Sequence, residues 1–479
     1  MEITDLTDAE RTVWEAFPSG GRVDLTAAPQ EDRVLRAEVL RDLLLGGHRR
    51  DGDVAGLRIA GARITGVLHL RYASTECAIS LLACTFEEPP ELYGAELRQL
   101  NLSYCTLPAL YAATVRVDGV LRITGCRIPG PVRLGGARIA GAFFLDRAEL
   151  GVPGGESAEP TLQLNQATVG NDLHGPGLVA HGEVRLQGAT VSGAVQLNDA
   201  VLDNPGGDAL SAKTLTVGSD FHGMRLRALG RVNLRGLQVP GQLNFAFARF
   251  ANPGGTALRV SSAVVGELWL REAARIDGEV TLRRSQIELL HIAPATYPDV
   301  VRLDGLGYAT LDPHEPAEHR LDLLERERDG YVPHAYEQLT NAYRRVGDDA
   351  AARTVQLAKQ RRHRATLPAY ARAWGHLQDA AVGYGFRPVR AAGWLASLLL
   401  VGTVAFAVDA PRALKPEESP PFNALAYTLD LLLPIVDLGQ EKAYAPDGGA
   451  QWLAYGLIVT GWVLATTIAA GVTRTISRQ

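Results

Sequence analysis

The sequence predicts a mainly β fold, a right-handed β-solenoid of about 21 residues per rung. A helical N-terminal cap, a C-terminal helical hairpin and two transmembrane helices are expected to complete it. Three observations carry the solenoid. Residues 182–210 and 230–258 are near-copies 48 positions apart, from Gly182-Glu-Val-Arg-Leu and Gly230-Arg-Val-Asn-Leu to a shared Asn-Pro-Gly-Gly at Asn204 and Asn252. A repeat of that length marks a solenoid or a propeller. Inside each copy an 11-residue unit recurs: Val184, Leu186, Ala189 and Val191 are answered by Val195, Leu197, Ala200 and Leu202. Apolar residues at i and i+2 have the period of a strand, and the glycines between them mark corners. Finally, Cys84, Cys105 and Cys126 stand 21 apart, which stacks them on successive rungs if one turn takes that many residues.

Residues 1–50 read as a helical cap. Asp5-Leu-Thr-Asp-Ala-Glu10 opens one helix, and Val34, Val39, Leu40, Leu43 and Leu44 give a second its apolar stripe. The solenoid occupies 51–312, with Ile123/Cys126/Ile128, Leu134/Ala137/Ile139 and Leu145/Ala148/Leu150 among its units. Turn-rich insertions at Gly151-Val-Pro-Gly-Gly155, Asn204 and Asn252 place a loop on every second rung, on one side. Short strands with tight corners in this pattern resemble the pentapeptide-repeat and bactofilin-like β-solenoids, over about half the chain.

From 313 to 390 the period becomes helical. Ala335–Arg345 and Ala351–Arg362, parted by Gly347-Asp-Asp, look like a tetratricopeptide-type hairpin. Residues 391–479 read as a membrane module, with apolar spans near 391–409 and 452–472 and a re-entrant or interfacial helix near 422–438. Eight Lys/Arg lie between Arg353 and Arg390, whereas the 410–451 connection holds three. The positive-inside tendency then puts both termini and the solenoid in the cytoplasm of a two-span cell-membrane protein. With Gly383-Tyr-Gly-Phe-Arg-Pro388, the tail is similar to a two-span module behind cytoplasmic repeat domains in bacterial membrane proteins. The whole chain resembles a bacterial family labelled membrane-associated oxidoreductase, which implies a redox activity.

The residues themselves carry little catalytic signal. No Gly-x-Gly-x-x-Gly follows a strand and no Cys-x-x-Cys occurs, so no cofactor is expected. His314 and His319 are five apart with Pro316 between them, not the four that lets two histidines share a metal from one helix face. A formal charge of −5, and 22 Lys/Arg against 21 Asp/Glu over 55–295, argue against nucleic-acid binding and against DNA mimicry. Two surface pairs stand out. Asp172 and His174 in Val-Gly-Asn-Asp-Leu-His-Gly, echoed by Asp220 and His222, share one strand face and lie two rungs apart. In the tail, Asp430, Pro434 and Asp437 are the membrane candidates, because a carboxylate at membrane depth is costly. The leading expectation is a membrane-anchored scaffold that binds the lipid bilayer and a cytoplasmic protein, and self-associates through its membrane helices. An oligomeric channel with the solenoid as sensor is the alternative, and the oxidoreductase comes third.

Overall fold

The structure is a computed structural model that describes residues 5–46, 48–49, 52–155, 159–271, 276–372, 388–415, 419–433 and 437–476, without the side chains of 388–392 and 466–476. The chain divides into two compact units, Met1–Gly347 and Asp348–Gln479.

The first unit is a parallel β-solenoid of about 11 turns with about 22 residues each. One turn shows how the pattern works. Strands Leu121–Arg122, Arg127–Ile128, Val132–Arg133 and Arg138–Ile139 form four successive sides, and Phe143–Phe144 then pairs with Leu121–Arg122. Each 11-residue unit turns in four apolar side chains. Leu121, Ile123, Cys126, Ile128, Val132, Leu134, Ala137 and Ile139 are all at most 1% exposed. At roughly 1.5–3 kcal/mol per buried aliphatic side chain, this repeated burial, not strand length, holds two-residue strands in place.

The cysteine spacing understates the turn by one residue. Leu100 pairs with Leu121 and Thr106 with Arg127, so the coils there are locally one residue short. The commonest step is 22, as from Leu121 to Phe143. Glycine is also not the only corner residue. The left-handed backbone at Gly125 and Gly136 is adopted equally by Arg147, Gln166, Asp199 and Thr214, with φ between 53° and 59°.

The Asn-Pro-Gly-Gly insertions are bulges inside continuous strands, Val201–Ser211 and Arg249–Arg259. In both copies the asparagine bridges its own bulge: Asn204 Nδ2 donates to Asp208 O at 2.8 Å and Asn252 Nδ2 to Thr256 O at 2.9 Å.

At the N-terminus, α1 (Asp8–Ala16) and α2 (Ala37–Leu44) cover the first coil. Val34 does not join the helical stripe. Val34–Arg36 is a strand paired with Arg63–Thr65, and Arg22–Asp24 pairs with Arg58–Ala60. Coil hydrogen bonding here overrides helical spacing. Buried Glu10 ties these pieces together. It accepts hydrogen bonds from Thr7 N, Arg36 N and the Arg36 guanidinium. Burial alone would raise its pKa, but the Arg36 and Thr7 hydrogen bonds outweigh it and hold the carboxyl at about 2.

At the other end, α3 (Ala317–Glu325) and α4 (Pro333–Arg345) close the last coils. Arg320, fully buried, donates to Tyr297 Oη at 3.1 Å and to the carbonyls of Ile292 and Pro313.

In the second unit, α5 (Asp349–Ala365) is followed by α6 (Pro388–Val408), α7 (Ala424–Leu432) and α8 (Gly449–Ile476). The boundary between the units thus falls between the two helices expected to form one hairpin. The last three helices pack around Phe406, Tyr427, Leu431, Leu432, Tyr444, Ala454 and Leu457. Phe406 and Tyr427 meet edge to face at 4.9 Å. Among the described residues no helix is long and apolar enough to cross a membrane. The expected transmembrane helices, and with them the two-span cell-membrane placement with cytoplasmic termini, are therefore corrected.

Candidate functional site

Register, not sequence distance, assembles the candidate site. Leu173–His174 pairs with Phe143–Phe144 on one side and Val195–Gln196 on the other, and the series continues through Phe221–His222, Leu243–Asn244, Leu268–Trp269 and Leu290–His291 to Leu311–Asp312. The first member of each pair is apolar and turned inward. The second points away from the core, so Phe144, His174, Gln196, His222, Asn244, Trp269 and His291 form one column, half-buried except at His291, which is buried. Its pitch is the strand spacing of about 4.8 Å, which is also a stacking distance for planar groups. The rings use it. Arg122 Cζ sits 3.9 Å from the Phe144 centroid, His174 lies on Phe144 at 4.8 Å and 8°, and His291 lies on Trp269 at 4.7 Å and 1°.

A second column, two residues earlier, is acidic on alternate coils, where Asp172, Asp220 and Glu267 stand between Ala142, Ala194, Gln242 and Leu289. Asp172 Oδ2 is 3.4 Å from His174 Nε2, and Asp220 Oδ2 is 3.9 Å from His222 Nε2. The two predicted pairs thus share one face two coils apart. Each aspartate spends its other oxygen on the next coil. Ala194 N donates to Asp172 Oδ1, and Gln242 N to Asp220 Oδ1, both at 2.7 Å. Glycine precedes each donor because a Cβ there would stand 2.1 Å (Gly193) or 2.2 Å (Gly241) from that oxygen. The third copy keeps the arrangement with other residues. Glu267 replaces the aspartate and accepts Gln242 Nε2 and Trp269 Nε1, each at 2.8 Å.

The sequence singled out four members of this face and missed Arg122, Phe144, Gln196, Asn244, Trp269 and His291. Their signal is a simple one: each follows directly after an inward apolar residue. Insertions hide it by stretching the step from 22 residues to 30 between Phe144 and His174.

The tail candidates lie elsewhere. Asp430 is buried and accepts three backbone N–H groups, from Leu438 at 2.5 Å, Gln440 at 2.8 Å and Glu441 at 3.1 Å. It anchors the turn after α7. Asp437 is exposed, accepts Gly439 N at 3.0 Å and pairs with Lys442 Nζ at 2.5 Å. The Lys442 hydrogen bond is the main cause that lowers its pKa, helped by Gly439 N–H. Pro434 and the Gly383–Arg387 stretch lie outside the described residues.

The cysteines are core fillers with satisfied thiols. Cys126 Sγ donates to Leu102 O at 2.7 Å and Cys105 Sγ to Leu81 O at 3.1 Å, each reaching the preceding coil. Burial pushes the Cys126 thiol up to about 12, and the hydrogen bond with Cys84 together with burial raises Cys105. Thiols held neutral are poor nucleophiles. Among the described residues no group of three or more His, Cys, Asp or Glu side chains could hold a metal ion. Comparison with the patterns of known protein families, with curated proteins and with solved structures found no match.

Proposed function

We propose that this chain is a non-catalytic binding scaffold whose solenoid presents the ladder face to a protein partner. The observation that carries this reading is the continuous column from Arg122 to Asp312, backed by the Asp172, Asp220 and Glu267 column. The stacked side chains Arg122, Phe144 and His174 at one end, and Trp269 and His291 at the other, present contact area at little ordering cost, as preorganised interfaces require. Helices at both ends oppose growth by coil-on-coil stacking, which favours lateral recognition.

The test places a photo-crosslinking residue at Gln196, on the ladder, or at Thr190, on the adjoining side of the same coil, in the full chain. Capture at Gln196 alone, abolished by Phe144→Ala with Trp269→Ala, is the expected result. Equal capture at both positions, or capture that ignores the ladder variants, removes the support for this face.

A further inference from the structure

The tail helices bury one stripe and leave the opposite one uncovered. On α8, Ala454 and Leu457 are buried, while Trp452, Tyr455 and Val459 on the other side are 77%, 49% and 64% exposed. On α6, Phe406 is fully buried, while Leu400, Val401, Val404 and Val408 are 67%, 55%, 56% and 84% exposed. The spacing of these residues is helical, so each set lies along one side of its helix. Residues 393–408 and 449–465 contain no Asp, Glu, Lys, Arg or His. A helix on the surface of a globular protein carries charged and polar residues opposite its core stripe, and these two carry no charged one there.

We propose that these two apolar stripes are contact surfaces for a second copy of the same chain. Taking aromatic side chains at about 150–250 Å² and the aliphatic ones somewhat smaller, and counting only their exposed fractions, the seven side chains present roughly 700 Å². That approaches the share of each partner in an interface of standard size, about 800 Å². The absence of charge gives an acidic or basic partner nothing to select. Small residues alternate with large ones, Ser397 beside Val401 and Gly456 beside Trp452 and Val459. At Gly456 nothing lies within 4 Å of where a Cβ would stand. The stripe therefore offers both knobs and holes, the requirement for a surface that packs on its own copy. This surface belongs to the second unit and is independent of the ladder.

The experiment is the mass of the full chain in detergent-free buffer, by light scattering across a concentration series. A discrete species of at least twice the chain mass is expected. Val401→Glu and Val459→Glu should each return it to the monomer with an unchanged far-ultraviolet β signal. Because a glutamate can also disturb the tail, Val404→Cys and Val459→Cys provide a second readout, disulfide formation between copies. The natural cysteines are all buried and give little background. A monomer at every concentration, or an assembly untouched by both glutamate variants and without intermolecular disulfides, overturns the proposal. Uptake of the monomeric chain by phosphatidylcholine/phosphatidylglycerol vesicles at the expense of the assembly also overturns it, by making lipid the occupant.

Discussion

The imidazole of His174 lies flat on the ring of Phe144, with centroids 4.8 Å apart and planes 8° from parallel, although 30 residues separate them. One coil step sets this contact, and the same step sets Trp269 on His291. The stack is exposed at its edges and stabilised along its length. Truncating it should therefore affect recognition more than stability. Phe144→Ala should cost about 1 kcal/mol of the ring-stacking contribution, beyond the lost area, while abolishing capture at Gln196. Denaturant titration alongside crosslinking separates the two. A loss of folding that parallels the loss of capture would refute it.

Asp172 and Gly193 act as one device. Gly193→Ala forces a Cβ into the carboxylate oxygen that holds Ala194 N–H, and should cost roughly 2–3 kcal/mol. Asp172→Ala should cost about 1–2 kcal/mol by leaving that N–H unpaired. The double variant should be less damaged than the sum, by at least about 1 kcal/mol. Strict additivity in a double-mutant cycle would show that the glycine is there for another reason.

The N-terminal cap should weaken in acid. The folded-state pKa of Glu10 is about 2, below the ordinary 4.5, so its contribution is fully present above about 4.5. It is lost as pH falls from there toward 2. With Arg36 partly exposed, the contribution is on the order of 2 kcal/mol. Glu10→Gln should lower stability at neutral pH and flatten its pH dependence between 5 and 2, read by denaturant titration at several pH values. An unchanged slope would contradict the assignment.

Asp430 should behave as a turn anchor. Asp430→Asn keeps one acceptor oxygen and brings an N–H donor against other donors, so about 1–3 kcal/mol of local stability should go. Hydrogen exchange at Leu438, Gln440 and Glu441 should speed up selectively. Protection unchanged at those three amides would show that the carboxylate does not hold the turn.

The 11-residue apolar period, doubled into the 48-residue near-repeat, was enough to declare a solenoid, because inward side chains must alternate in any strand that faces a core. The pairing of Asp172 with His174 was legible for the same reason, since residues two apart share a strand face. Cys105 and Cys126 even revealed the coil length to within one residue. What lay beyond reach were the partners from other coils. Phe144 meets His174 because the extra residues between Leu150 and Leu162 leave the strand register intact. Val34 joins a strand because a neighbouring coil supplies its hydrogen bonds. The apolar runs of the tail looked alike in composition whether bound for a bilayer or a bundle. Composition alone determined that α6 and α8 must bury apolar surface, but only tertiary structure decided which stripe goes into the core around Tyr427 and which stays uncovered. Burial is a property of neighbours, and neighbours are chosen by folding.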